Sequence, residues 1–473
     1  MSDTTIPSHE IEPHPLSLRD QIGALFWWRG RLMREVPAEA ESEFDALWAS
    51  GLLQELQHRG WASGCQLTGY RTESGGRVLE HAVVPFVTYP TEWPFAMLRD
   101  AGEHVLRVNA LARSHGYELK DAHGYNVVFA GTRPQFVDVS SFQRRLPGAI
   151  GWMAERQFRA FFLTPLRIWS LSGPFMARRM LLGGEVITDF EADRLLSWLF
   201  RLLRPGMARR YQRARERLGM IYHVDDEVLV AKTGALLGRL LRTMRKRRCV
   251  PFHREPEDAL GRALRRLRPA AVRTEWSGYQ QNFRYAPPPQ RLEQVVALIR
   301  QFSPETVLDV GSNEGEFSFR FESDTGARHV IALDGDSQAI DYLYERAKRE
   351  ARRITPVYSD AMQPLLPVAG FPQESRLQAD VVVALAITHH LLLTQCFNVD
   401  CVLQRLASFA RRNLVVEFMP KGLWNGKEAP PVPRWYTFDW FQAAFSRRCT
   451  EVEVVQLEEN RVLFSGRVRS ARP

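Results

Sequence analysis

The segment Val307-Leu308-Asp309-Val310-Gly311-Ser312-Asn313-Glu314-Gly315 constrains the fold of this chain more than any other. A short apolar run breaks into a glycine turn, and helical spacing follows from Phe317 to Phe321. Glycine permits left-handed backbone and close approach of a ligand, so the pattern reads as strand, turn and helix N-terminus. The residues around it alternate in the same way. Leu292 to Phe302 is helical, Thr306 to Val310 a strand, His329 to Leu333 a strand and Ser337 to Arg352 a helix. Asp380 to Ile387 is a strand, Phe397 to Ala410 a helix and Asn413 to Glu417 a strand. A helix from Phe438 to Phe445 precedes two closing strands, Thr450 to Gln456 and Arg461 to Phe464. Such alternation predicts an α/β, Rossmann-like doubly wound sheet with its ligand at the carboxyl ends of the strands.

The charges beside the turn select among ligands. A dinucleotide would set its pyrophosphate at this helix N-terminus, where Glu314 and Glu316 would repel it. S-adenosylmethionine has no phosphate and carries a sulfonium and an ammonium group, so acidic neighbours suit it. Asp309, Gly311, Asn313 and Gly315 are the expected cradle, with Asp309 at the amino-acid end. Asp334 ends the next strand, at the spacing from which a carboxylate reaches ribose hydroxyls. Asp360, in Tyr358-Ser359-Asp360-Ala361, is a candidate partner for the adenine amino group. The competing reading of each aspartate is a helix cap.

Ala379 to Leu391 delivers a buried strand into the pair His389-His390. Methyl transfer to a hydroxyl needs a proton removed during attack, and histidine titrates in the right range. Either histidine is a candidate base. Glu417 ends the following strand and is expected to position the acceptor or orient a histidine. An Asn or Asp followed by Pro-Pro-aromatic, which would suggest methylation of a base amine, does not occur here; O-methylation is therefore favoured.

These pieces, in this order over about the last 200 residues, resemble the class I S-adenosylmethionine-dependent methyltransferases. Asn313 stands where many members have a second glycine, and asparagine tolerates the positive φ that such a turn needs. In that family an aromatic segment, here Glu275-Trp276-Ser277-Gly278-Tyr279 with Tyr285, often closes over the cofactor; the bland reading is a docked linker.

In the first half, Leu16 to Arg59 and Phe95 to Arg113 read as helical, with a hairpin turn at Ser74-Gly75-Gly76 between them. Asp121-Ala122-His123-Gly124-Tyr125-Asn126, a turn at Gly131-Thr132-Arg133-Pro134, and then Asp138 resemble the catalytic loop and metal aspartate of kinases of the aminoglycoside-phosphotransferase type. That resemblance implies an acceptor-positioning Asp121 and a metal held by Asn126 and Asp138. Lys120 is the first lysine of the chain, so the lysine that pairs nucleotide phosphates has no candidate upstream, and the loop reads as a degenerate scaffold. Taken with Tyr89-Pro90-Thr91-Glu92-Trp93-Pro94, the Asp121 loop and His389-His390 resemble bacterial methyltransferases of the nodulation-protein NoeA type over nearly the whole chain. That resemblance implies a bacterial origin and a glycan or glycolipid acceptor.

The expected organisation is a disordered lead over 1–15, a kinase-like α+β domain over 16–265 and a methyltransferase domain over 266–473. The net charge of +9 concentrates in arginine runs at 207–217 and 242–248, which read as solvated helix faces or as contacts to an anionic or membrane surface. Nucleic acid is disfavoured, because no aromatic residue interleaves the second run. Five scattered cysteines without a CxxC pair argue against a disulfide framework or a metal site. No apolar stretch is long enough to span a bilayer and no signal pattern opens the chain, so a cytoplasmic protein is expected. The leading function is S-adenosylmethionine-dependent O-methylation of a small-molecule or glycan hydroxyl. The alternatives are a bifunctional kinase and methyltransferase acting on a polysaccharide or glycolipid, and a non-catalytic binder of nucleic acid or a membrane surface.

Overall fold

The computed structural model describes residues 4–14, 17, 23–146, 151–182, 243, 256–270, 289–366, 370–424 and 430–469. The aromatic segment at 275–285 and the arginine runs, Thr243 apart, lie outside the described residues. The chain divides into two compact units, one of residues 1–84, 98–128 and 134–271, the other of 85–97, 129–133 and 272–473.

The first unit carries a six-stranded sheet. Two expectations are corrected in it. Residues 4–14 are not a disordered lead: Thr4–Ile6 pairs parallel with Tyr70 to Thr72, Glu12–Pro13 pairs with Phe26 and Trp27, and Ile6 is buried in a cluster with Phe26, Trp28, Met33 and Val78. The helix expected from Leu16 begins only at Glu41. Leu25–Trp28 and Arg31–Val36 form a hairpin instead, and Phe26 and Trp28 alternate into the core. Its two turn residues, Arg29 and Gly30, both have positive φ, the geometry that two-residue hairpins require.

The second unit is built on a seven-stranded sheet. Its strands are β1 (Thr306–Val310), β2 (His329–Asp334), β3 (Ile354–Tyr358), β4 (Ala379–Ala384), β5 (Ala410–Phe418), β6 (Cys449–Glu458) and β7 (Arg461–Val468). The order is β3-β2-β1-β4-β5-β7-β6. The first five strands are mutually parallel, whereas β7 runs antiparallel to both β5 and β6. The strand order therefore reverses between β1 and β4, where a doubly wound sheet opens its ligand crevice. Val307, Leu308, Val381, Val382 and Val383 are fully buried, as strands covered on both faces require. The helices that bear on the site are α1 (Pro289–Gln301), α2 (Glu316–Asp324), α3 (Ser337–Arg349), α4 (Gln373–Arg376), α5 (Val399–Ser408) and α6 (Phe438–Arg448).

This unit is not the contiguous 266–473 block that was expected. Residues 85–97 and 129–133 belong to it. Glu92 is buried against Arg376 and Gln373, the Tyr89 hydroxyl accepts from the Phe371 N–H, and the Phe86 ring lies 5.1 Å from that of His329, tilted by 31°. Trp93 packs edge-on against Phe129, which in turn meets Tyr344. Stretches far apart in sequence thus complete one core, a pairing that local periodicity does not encode.

Candidate functional site

At the carboxyl end of β1, Gly311, Asn313 and Gly315 all have positive φ, at 78°, 49° and 90°. Gly315 opens α2, and a Cβ there would lie 2.6 Å from the Leu343 side chain. Gly311 is covered by Ile387 of the loop after β4, which a Cβ would meet at 3.0 Å. The turn is therefore held between α3 and the β4 loop.

Two carboxylates flank it. Asp309 is buried and accepts from Ser318 Oγ at 2.6 Å; burial pushes its pKa up to about 7, and nearby Asp334 adds to the shift. Asp334 accepts from the Asn313 N–H at 2.8 Å and the Asp336 N–H at 2.7 Å, and burial pushes its pKa up to about 6. Asp334 thus fixes the backbone of the glycine turn across the β1–β2 step. Asp360 is exposed and accepts from the N–H groups of Met362 and Gln363, closing a turn at the end of β3 rather than capping a helix.

The histidines follow Ala386, a non-glycine residue at φ 52°. His389 is buried, and its pKa is held down at about 3 by burial, with His390 and Arg461 adding to the effect. Its ring lies 4.1 Å from that of His390, which is half-buried at the start of a π-helix, His390–Thr394. Among the described residues, the hydrogen bonds and ion pairs of the Glu417 carboxylate go to Arg291, Arg461 and the Ala386 N–H, not to a histidine. The Thr388 hydroxyl donates to the Glu417 carbonyl at 2.6 Å. Glu417 therefore anchors the loop that carries the histidines.

Arg291, Arg461 and Ser318 were not legible as site residues. A signal for Arg291 existed: it is a cation in the first turn of α1, where the helix dipole disfavours positive charge. Next to the π-helix lies a cavity of about 550 Å³. Leu392, Phe397, Val432, Trp435 and Trp440 give it an apolar wall, and Asp400 and Arg447, paired at 3.0 Å, stand among its polar lining.

With this geometry in view, the chain is similar to Nodulation protein NoeA of Rhizobium meliloti (strain 1021). The two are 28% identical over 432 residues, covering 86% of this chain and 84% of that one. No protein-family model matches the chain. Among solved structures, the N-methyltransferase NodS from Bradyrhizobium japonicum WM9 aligns at 15% identity and a TM-score of 0.29, over 38% of this chain and 98% of NodS. A SAM-dependent methyltransferase from Aquifex aeolicus aligns at 16% identity and a TM-score of 0.30, over 42% of this chain and all of that one. Human N-acetylserotonin methyltransferase, solved in complex with SAM, aligns at 12% identity and a TM-score of 0.30, over 41% of this chain and 55% of that one.

In the first unit, Asp138 accepts from the Ser140 N–H, Ser140 Oγ and Ser141 Oγ, and the Arg34 guanidinium stands 3.8 Å away. The Asn126 amide donates to Ser141 Oγ at 2.9 Å. Both oxygens of the Asp138 carboxylate that the kinase resemblance assigns to a metal are thus engaged by serines, whereas Asn126 meets a serine through its amide NH2. Among the described residues no cluster of three or more His, Cys, Asp or Glu side chains could hold a metal ion, and no helix is long and apolar enough to cross a membrane.

Proposed function

We propose that the second unit is an S-adenosylmethionine-dependent methyltransferase acting on a hydroxyl group. The observation that carries this reading is the pair Asp309 and Asp334 at the glycine turn, at the point where the strand order reverses. Carboxylates there oppose a pyrophosphate but suit an ammonium and a ribose diol. The antiparallel β7 inserted between β5 and β6 also departs from the all-parallel dinucleotide-binding order and fits the class I methyltransferase fold that the motifs resemble. Similarity to NoeA over most of the chain supports a role of the same type.

When bound, S-adenosylmethionine supplies an electrophilic methyl group on a sulfonium. Asp334 holds the ribose hydroxyls, Asp309 faces the amino-acid end, and Asp360 lies at the end of β3 for the adenine edge. His390 takes the proton of the acceptor hydroxyl at an imidazole nitrogen as the oxygen attacks. His389, buried and neutral, packs against His390 and fixes its ring. The cavity beside the π-helix takes an apolar part of the acceptor, because Leu392 and Leu393 line it three residues or fewer from His390. The test is calorimetric titration with S-adenosylmethionine. Saturable binding that is lost in a folded Asp334→Ala variant supports the reading, and absence of binding by the folded wild-type protein overturns it.

A second reading, a kinase and methyltransferase in one chain, has one observation in its favour. Arg34, upstream of the Asp121 loop where the sequence has no lysine, supplies a cation 3.8 Å from Asp138. Magnesium-dependent ATP binding, titrated in parallel, would restore that reading; the serine bonds to the Asp138 carboxylate argue against it.

A further inference from the structure

In the first unit, the helices Thr164–Ser172 and Pro174–Arg179 meet at Gly173, whose φ of 85° turns the chain between them. One side of this pair is core: Leu166, Trp169, Ala177 and Leu181 are all buried. The other side faces water. Leu171 is 70% exposed, Phe175 62% and Met176 52%, and the first two are the most exposed large apolar side chains among the described residues. The hydroxyls beside them turn inward. Ser170 donates to the Leu166 carbonyl at 2.9 Å and Ser172 to the Ile168 carbonyl at 3.0 Å, both within the helix.

The charge along this stretch has one sign. From Arg156 to Leu182 the chain holds five arginines and no aspartate or glutamate. Arg167 stands four residues before Leu171, and Arg179 stands four after Phe175 and three after Met176. Residues three and four apart are neighbours on a helix surface, so each exposed apolar side chain has a cation beside it. The Arg179 guanidinium lies 3.7 Å from the Phe175 ring centroid. Exposed apolar groups flanked by arginines, whose stems are themselves apolar, suit the boundary between lipid headgroups and acyl chains. Helices of nine and six residues cannot cross a bilayer, which takes about 20 apolar residues, so such a segment lies on the surface. A protein partner fits less well. Stable interfaces use about 20–30 residues a side, and this turn offers three large apolar ones.

We propose that the turn at Gly173 docks the protein on the surface of an anionic phospholipid bilayer. Leu171, Phe175 and Met176 enter the headgroup layer, and Arg167 and Arg179 meet lipid phosphates. The contact is independent of the methyltransferase reading and uses none of the residues assigned to that site.

The experiment is co-sedimentation of the full-length protein with vesicles of phosphatidylcholine alone and of phosphatidylcholine mixed with phosphatidylglycerol, at several salt concentrations. Wild-type protein should bind the mixed vesicles about tenfold or more tightly than phosphatidylcholine alone, and salt should shrink that difference. Leu171→Ser, Phe175→Ser and Met176→Ser combined should weaken binding to mixed vesicles about tenfold or more. The melting temperature should hold, because these side chains are exposed. Arg167→Gln with Arg179→Gln should remove most of the preference for phosphatidylglycerol. No binding of wild-type protein to mixed vesicles would overturn the proposal, whatever the variants do. Unchanged binding by the serine variant would also overturn it, by placing the contact elsewhere on the chain. Light scattering runs alongside. A wild-type dimer that the serine variant converts to a monomer would make this face a contact between two copies, and would overturn the proposal as well.

Discussion

Arg376 donates through two guanidinium nitrogens to the carboxylate of Glu92, at 2.8 and 2.9 Å, although 284 residues separate them in the chain. The Arg376 Nε donates to the Phe371 carbonyl, and the guanidinium lies 4.1 Å from the Tyr89 ring centroid. A chain stretch before residue 100 is thereby part of the core on which the proposed methyltransferase site is built.

Breaking this pair leaves an uncompensated buried charge. Glu92→Ala should destabilise the protein by about 3–5 kcal/mol. Glu92→Gln, which keeps the shape and part of the hydrogen bonding, should cost less. Denaturant unfolding measures both, and a loss below ~1 kcal/mol for Glu92→Ala would show that the pair is dispensable. By the same argument, residues 272–473 expressed alone should be poorly soluble and should recover when a segment containing 85–97 is supplied.

The two histidines should separate under mutation. His390→Ala should lower turnover by about 10²- to 10⁴-fold, the usual range for loss of a general base, with little change in cofactor affinity. His389→Asn should cost less turnover and more stability, because that ring is buried and neutral. Single-turnover rates and melting temperatures would decide between them; the reverse pattern would make His389 the base.

Cofactor binding should be linked to protons. Asp309 and Asp334 titrate near 7 and 6, above the ordinary carboxyl range, in the ligand-free protein. An ammonium group and ribose hydroxyls favour their ionised forms, so binding should release protons. Affinity for S-adenosylmethionine should therefore rise with pH from about 4 to about 7 and level off above. Through the same window these two carboxyls should lower the stability of the ligand-free protein as pH rises, because the native state binds more protons there than the unfolded chain. Calorimetry in buffers of different ionisation enthalpy counts the protons; an affinity flat across the window would refute the linkage.

Trp435 is 49% exposed at the cavity beside the π-helix, with its ring 4.9 Å from that of Trp440. If an apolar part of the acceptor enters there, Trp435→Ala should raise KM for the acceptor about tenfold or more, within the 1–3 kcal/mol range of a lost apolar contact in a pocket. Cofactor affinity should not change. An unaltered KM would remove this cavity from the acceptor path.

The sequence by itself determined the alternation of the second unit, its glycine turn and the carboxylates at the ends of β1 and β2. Each of these is written in adjacent residues: apolar β-branched runs for strands, glycine or asparagine where φ must be positive, and a carboxylate as the strand ends. Short-range patterns also carried a misreading, because the stretch before Glu41 holds enough scattered apolar residues to suggest a helix. Only the two-residue turn at Arg29-Gly30 and the pairing of its strands turn it into a hairpin. What tertiary structure alone decided is which distant groups meet. Glu417 looked like a residue pointing into the cleft, and its burial against Arg291 and Arg461 makes it an anchor instead. Glu92 carried no charge partner nearby in sequence, and only folding brings Arg376 to it. A buried charge requires an opposite charge or a hydrogen bond within a few ångströms, but that requirement places no limit on how far along the chain the partner lies.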